Sequence, residues 1–107
     1  MDTVLVLTNL PDRDAAMSLA AHLIETGLAA CVNVMAPCTS VYRWQGKTET
    51  AQEVPVFIKT SAERYAVLEQ AIRARHPYDL PEIIALPLCA GLPEYLQWVD
   101  AETRTAS

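Results

Sequence analysis

Apolar and polar positions change period several times along the chain, and each change marks an element. Thr3 to Thr8 is an unbroken apolar run rich in Val and Leu, the pattern of a strand buried on both faces. Asn9-Leu10-Pro11-Asp12 reads as a turn, with Asp12 and Asp14 placed where a helix start favours negative charge. Met17, Ala20, Ala21 and Ile24 then recur at helical spacing, and Ala16, Leu19 and Leu23 widen the stripe. Gly27 supplies the left-handed position that ends this helix, and Leu28 packs back just beyond it.

From Ala29 to Trp44 the period shortens. Cys31, Val34, Met35, Val41 and Tyr42 suit one long strand, interrupted at Pro37, where a ladder donor is missing. The polar stretch from Gln45 to Gln52 reads as a hairpin tip. Val54, Val56 and Ile58 alternate along the return strand, and Pro55 suggests a sheet edge. Thr60-Ser61-Ala62-Glu63 fits a capping box, followed by Tyr65, Leu68 and Ile72 on one helix face. Pro77 stops that helix. The stiff loop His76-Pro77-Tyr78-Asp79-Leu80-Pro81-Glu82 leads into a fourth strand, Ile83 to Leu88. Gly91 and Pro93 turn the chain into a short last helix with Tyr95, Trp98 and Val99, and the tail after Glu102 is expected to fray.

The order βαββαβ plus a helical appendage predicts a ferredoxin-like α+β sandwich, an antiparallel sheet with both main helices on one face. Strands this apolar, carrying Tyr42, Trp44 and Phe57, cannot leave the other face in water. A helical extension or a second copy must cover it, so a homo-oligomer is expected.

Composition narrows the function. The chain has 107 residues, 51% hydrophobic and 20% charged. That length predicts a single domain, residues 1–107, with enough interior to fold without disulfides. Eight basic residues against thirteen acidic give a net charge of −5. The basic residues are scattered singly, so neither nucleic acid nor an anionic membrane is an expected partner, whereas cations are permitted. Cys31, Cys38 and Cys89 are odd in number and lack CxxC spacing, which points to a reducing cytoplasm. The first apolar run lacks the basic flank and length of a signal segment. Three glycines, at 27, 46 and 91, build no phosphate-binding loop.

Several blocks together resemble the CutA family of divalent-cation tolerance proteins. They are Ala29-Ala30-Cys31-Val32-Asn33-Val34, Ser40-Val41-Tyr42-Arg43-Trp44-Gln45-Gly46-Lys47, Phe57-Ile58-Lys59-Thr60, the loop from His76 to Ile83, and Tyr95-Leu96-Gln97-Trp98. The resemblance covers nearly the whole chain. It implies a cytoplasmic homotrimer with strands paired across subunits, binding of divalent metal (copper especially), and a non-enzymatic role in metal tolerance. Family likeness to PII-type signalling trimers implies an alternative, a small-molecule sensor with a ligand in a cleft between subunits.

Candidate site residues follow from chemistry and resemblance together. His76 stands beside prolines, with Tyr78 and Glu82 close in sequence; imidazole and carboxylate suit Cu(II) or Zn(II). The competing reading is a histidine bonded to a carbonyl or serving a helix end. Copper-binding relatives can carry a cysteine and a second histidine where this chain has Thr8 and Arg75, which depletes the ligand set. Cys31 is a soft ligand for Cu(I) or else a small buried hydrophobe. Glu53, Lys59, Tyr78, Tyr95 and Trp98 are candidates for a ligand cleft, Lys59 as a contact for an anion or as an edge-strand charge. A nucleophilic pair of Cys31 and His76 lacks any orienting motif, so no catalysis is expected.

Overall fold

The computed structural model describes residues 2–104. Strand β1 (Thr3–Leu10) leads through Asp12 into helix α1 (Arg13–Glu25). Strands β2 (Cys31–Val34), β3 (Cys38–Trp44) and β4 (Lys47–Ser61) follow, then helix α2 (Tyr65–Arg75), strand β5 (Ile83–Pro87) and helix α3 (Pro93–Thr103). The result is the expected α+β arrangement with five antiparallel strands in place of four, in the order β2-β4-β1-β5 with β3 also on β4.

Local chemistry explains the ends of α1. The Asp12 carboxylate accepts from the Ala15 N–H at 2.8 Å, satisfying one orphan donor. At the other end Gly27 adopts φ +72° and the Leu28 N–H reaches back to the Leu23 carbonyl at 3.0 Å, leaving Leu28 buried. The buried stripe, however, is Ala16, Leu19, Ala20 and Leu23, whereas Met17 and Ile24 are nearly half exposed. The predicted stripe was centred about one residue off, because alanine-rich spacing fits two adjacent faces equally well. Leu19 and Leu23 decide between them, each contributing about 1.5–3 kcal/mol on burial.

The long strand is broken at Pro37 into β2 and β3, both paired with β4. Pro55 therefore sits in the central strand, not at an edge. Its carbonyl accepts from Met35 at 2.9 Å, and a strand residue directs N and O to the same neighbour, so its missing N–H faces the break. The hairpin turn is only Gln45-Gly46, at φ +50° and +80°, as a two-residue turn with both centres left-handed requires. Residues 47–52, expected as a loop, are strand. No capping box forms: the Thr60 hydroxyl is buried and donates to the Leu28 carbonyl at 2.7 Å.

Alternation along β1 and β4 puts Val4, Val6, Leu10, Val54, Val56 and Ile58 under the two helices, where they form the core with Leu68 and Ile72. Leu5, Leu7, Phe57 and Lys59 share the other face. Helix α3 covers part of that face and does not fray after Glu102: Thr103 is buried and its hydroxyl donates to Ser61 Oγ at 3.1 Å. The predicted loose tail otherwise falls on residues 105–107, outside the described residues. The β3–β4 ribbon extends beyond the sheet, giving extents of 46 × 26 × 23 Å and a radius of gyration of 14.4 Å, against about 13 Å for a compact chain of this length. Val41 is 66% exposed on it, beside the exposed Tyr42 and Trp44.

Candidate functional site: a carboxylate-lined cleft and a lysine patch

Pro77 ends α2 and leaves His76 extended, at φ −82° and ψ 134°. From there the imidazole reaches the end of β1. Its Nδ1 accepts the Tyr78 N–H at 3.2 Å, so Nε2 carries the proton and donates to the Asn9 carbonyl at 2.6 Å. The side chain of the same Asn9 donates to Glu82 Oε1 at 2.9 Å. Tyr78 lies against the imidazole, ring centroids 4.7 Å apart. Its phenol faces the Glu53 carboxylate; burial first, then that carboxylate, push it up to about 12.

Asn9, Tyr78 and Glu82 line one side of an open cleft of about 760 Å³ between the 76–82 loop and the β3–β4 ribbon. Glu53, Asp79 and Glu82 line it with Tyr42, Trp44 and Tyr78, and Arg43 is the one cation among its lining residues. The arrangement is acceptor-rich and partly aromatic.

The other candidates lie elsewhere on the same sheet face. Lys59 stands opposite Cys31 across the β2–β4 ladder, while Asn9 stands opposite Pro55. The two groups are thus roughly 13 Å apart along β4. The Lys59 ammonium donates to Asn33 Oδ1 and lies 3.9 Å from Cys31 Sγ. Tyr95 adjoins Cys31; burial, then the thiol, raise its phenol above the ordinary value. Trp98 packs on Tyr95, with centroids 5.6 Å apart.

The sequence-predicted residues therefore fall into two sets: Glu82, Tyr78 and Glu53 in the cleft, with His76 bonded to its wall residues Asn9 and Tyr78, and Cys31, Lys59, Tyr95 and Trp98 at the patch. Both imidazole nitrogens are already engaged, Cys31 belongs to the distant patch, and among the described residues no three His, Cys, Asp or Glu side chains converge for a metal. Thr8 is buried under the helices with its hydroxyl unpartnered among the described residues, and Arg75 is exposed on α2. Asn9, Asn33, Arg43 and Asp79 were not anticipated. Asn9 carried only a turn signal, and no local pattern announces that it bridges His76 to Glu82.

Comparison with known proteins agrees with this architecture. Residues 4–102 match the family model of the CutA1 divalent ion tolerance protein. The divalent-cation tolerance protein CutA of Thermus thermophilus is 42% identical over 92% of this chain and 95% of its own length. The chloroplastic protein CutA of Arabidopsis thaliana is 38% identical over 95% of this chain, which spans only 56% of that longer protein. Among solved structures, CutA from Xylella fastidiosa superposes with a TM-score of 0.93 at 42% identity, covering 96% of this chain and 99% of that one. CutA1 from Oryza sativa gives 0.95 at 38% identity, covering 99% and 97%. A fold, a length and a run of residues shared to this extent have one meaning: the chain belongs to the CutA1 divalent ion tolerance family.

Proposed function

We propose that this chain is a non-enzymatic, cytoplasmic homotrimer of the divalent-cation response that binds divalent metal, copper among its candidates, in the cleft between the 76–82 loop and the β3–β4 ribbon. The observation that carries the reading is the lining of that cleft, which holds Glu53, Asp79 and Glu82 with Arg43 as its one cation. Carboxylate oxygens suit divalent cations. One chain supplies too few converging donors, so the coordination is completed by a neighbouring subunit. The exposed ribbon residues Val41, Tyr42 and Trp44 support such a neighbour, since a two-stranded ribbon is marginal on its own. His76 acts here as the brace of the loop, not as a ligand.

Calorimetric titration of the purified protein with Cu(II), Zn(II) and Mn(II) tests this. Binding tighter than about 10 μM by one of them, weakened in Glu82→Gln and Glu53→Gln, is expected. Absence of such binding for all three overturns the cation site. Sedimentation showing a stable monomer at micromolar concentration overturns the trimer.

A second reading, a sensor of small organic molecules, draws on the size and aromatic lining of the cleft. About 760 Å³ with Tyr42, Trp44 and Tyr78 on its walls lies within the range of small-molecule sites. A metabolite that raises the melting temperature where metals do not would favour it.

A further inference from the structure

The cleft beside the 76–82 loop has walls that a bare metal ion does not use. In the β3–β4 ladder Ser40 opposes Ala51 and Cys38 opposes Glu53, and alternation sets Tyr42 and Trp44 on that same ribbon face. The small side chains of Ser40 and Ala51 leave the floor of the cleft open. Val41 alternates to the reverse side of the ribbon, so a subunit seated over Val41 leaves these walls in place.

Glu53 makes the strongest demand for a ligand. It is 9% exposed and lines the cleft, and no cation pairs with it, since the one ion pair among the described residues is Arg104 with Asp100. A carboxylate taken this far from water calls for a counter-charge. With Asp79, Glu82 and Arg43 it leaves the lining two formal negative charges. Yet no three His, Cys, Asp or Glu side chains among the described residues converge. Within one chain the negative charge is therefore spread along a space of about 760 Å³. Such a lining, with Tyr42, Trp44 and Leu80 alongside, fits a cation whose charge is divided and whose middle is apolar. Carboxylates accept the N–H bonds of ammonium groups strongly, and aromatic faces attract the same groups.

We propose that this cleft binds an aliphatic diamine, one ammonium on Glu53 of the ribbon and the other on the loop carboxylates Asp79 and Glu82, with its methylene chain along Tyr42 and Trp44. The proposal deepens the reading of the cleft as a cation site and rests on it. A single ammonium leaves half of the negative charge uncompensated, and a metal ion makes no use of the aromatic wall. Two ammonium groups joined by an apolar chain answer both features.

The probe is 1,4-diaminobutane, with 1-aminobutane and 1,4-butanediol as its singly charged and uncharged counterparts, at matched ionic strength. Binding is followed through the indole N–H resonances of the full-length protein in its native assembly. Trp44 should shift saturably with the diamine at concentrations on the order of millimolar or below, while Trp98, outside the cleft, stays unmoved. The monoamine should bind at least about tenfold more weakly, a loss expected when a charge pair goes, and the diol should not bind. Glu53→Gln should weaken the diamine by a similar factor, and Ala51→Leu, which fills the floor, should remove it. Equal binding of diamine and monoamine overturns the proposal, as does an unshifted Trp44, an equal shift of Trp98, or full diamine affinity in either variant. Should a variant fail to fold, the comparison of the three probes on the unaltered protein decides alone. Mn(II) binding in the cleft without diamine binding overturns the diamine and leaves the cation reading standing; absence of both overturns the two together.

Discussion

His76 and Asn9 are joined across 67 residues of chain by a 2.6 Å hydrogen bond from the imidazole Nε2 to the Asn9 carbonyl. Because Nδ1 accepts from Tyr78 at the same time, the ring ties the 76–82 loop to the end of β1. His76→Ala should cost about 1–3 kcal/mol, the usual penalty for stranding partly buried polar groups. Urea denaturation would measure it. For the proposed cation site, affinity should fall less in His76→Ala than in Glu82→Gln, because both ring nitrogens are hydrogen-bonded within the chain.

Tyr78 provides a pH signature. Its phenol is held up to about 12 in the folded protein, above the ordinary value near 10. The folded state thus keeps a proton that the unfolded chain releases. This stabilisation is complete below about pH 10 and is lost as pH rises through about 12. Ultraviolet titration should show a late phenol that disappears in Tyr78→Phe. Glu53→Gln should lower the midpoint without restoring the ordinary value, because burial is the larger cause.

Two buried threonines should respond in opposite directions to the same isosteric change. Thr60 donates to the Leu28 carbonyl at 2.7 Å, so Thr60→Val strands that carbonyl and costs about 1–2 kcal/mol. Thr8 is buried with a hydroxyl that has no partner among the described residues. Thr8→Val should therefore be neutral or stabilising by about 1 kcal/mol. Thermal or denaturant melts of the two variants, compared side by side, check the sign.

Gly27→Ala isolates a backbone effect. A Cβ there would meet only the Glu102 carbonyl oxygen, at an ordinary 3.8 Å. The cost is the left-handed conformation at φ +72°, about 1–2 kcal/mol. Helix content should be unchanged and the denaturation midpoint lowered.

Val41→Lys tests the ribbon as an assembly surface. Val41 is 66% exposed in the single chain, so the substitution should leave the subunit's core intact. Sedimentation should nonetheless show dissociation of the proposed trimer, with an unchanged far-ultraviolet circular dichroism spectrum at matched conditions.

Much of the fold was legible because its signals are local. The Gly27 stop, the break at Pro37 and the end of α2 before Pro77 each follow from what one residue's backbone permits. The misreadings share another cause. Pro55 looked like an edge residue because the sequence does not say that its missing donor faces a gap in the neighbouring strand. Thr60 looked like a cap because its partner, the Leu28 carbonyl, is 32 residues away. The stripe of α1 was misjudged because alanines fit either of two faces until the sheet chooses one.

The sequence by itself determined the order of elements, the α+β class, the surplus of apolar strand surface and the residues bearing the family's likeness. Those depend on periodicity, turn chemistry and composition, which act within a few residues. Tertiary structure decided which of those residues meet. The pairing of β4 with β1 and β2 places Lys59 beside Cys31 and Asn9 beside Pro55, so that Cys31 stands apart from His76 and Glu82. It also delivers Asn9 to both His76 and Glu82, spending the imidazole on structure. Strand register is set by long-range packing of one sheet face, and a one-residue slip would invert every side chain.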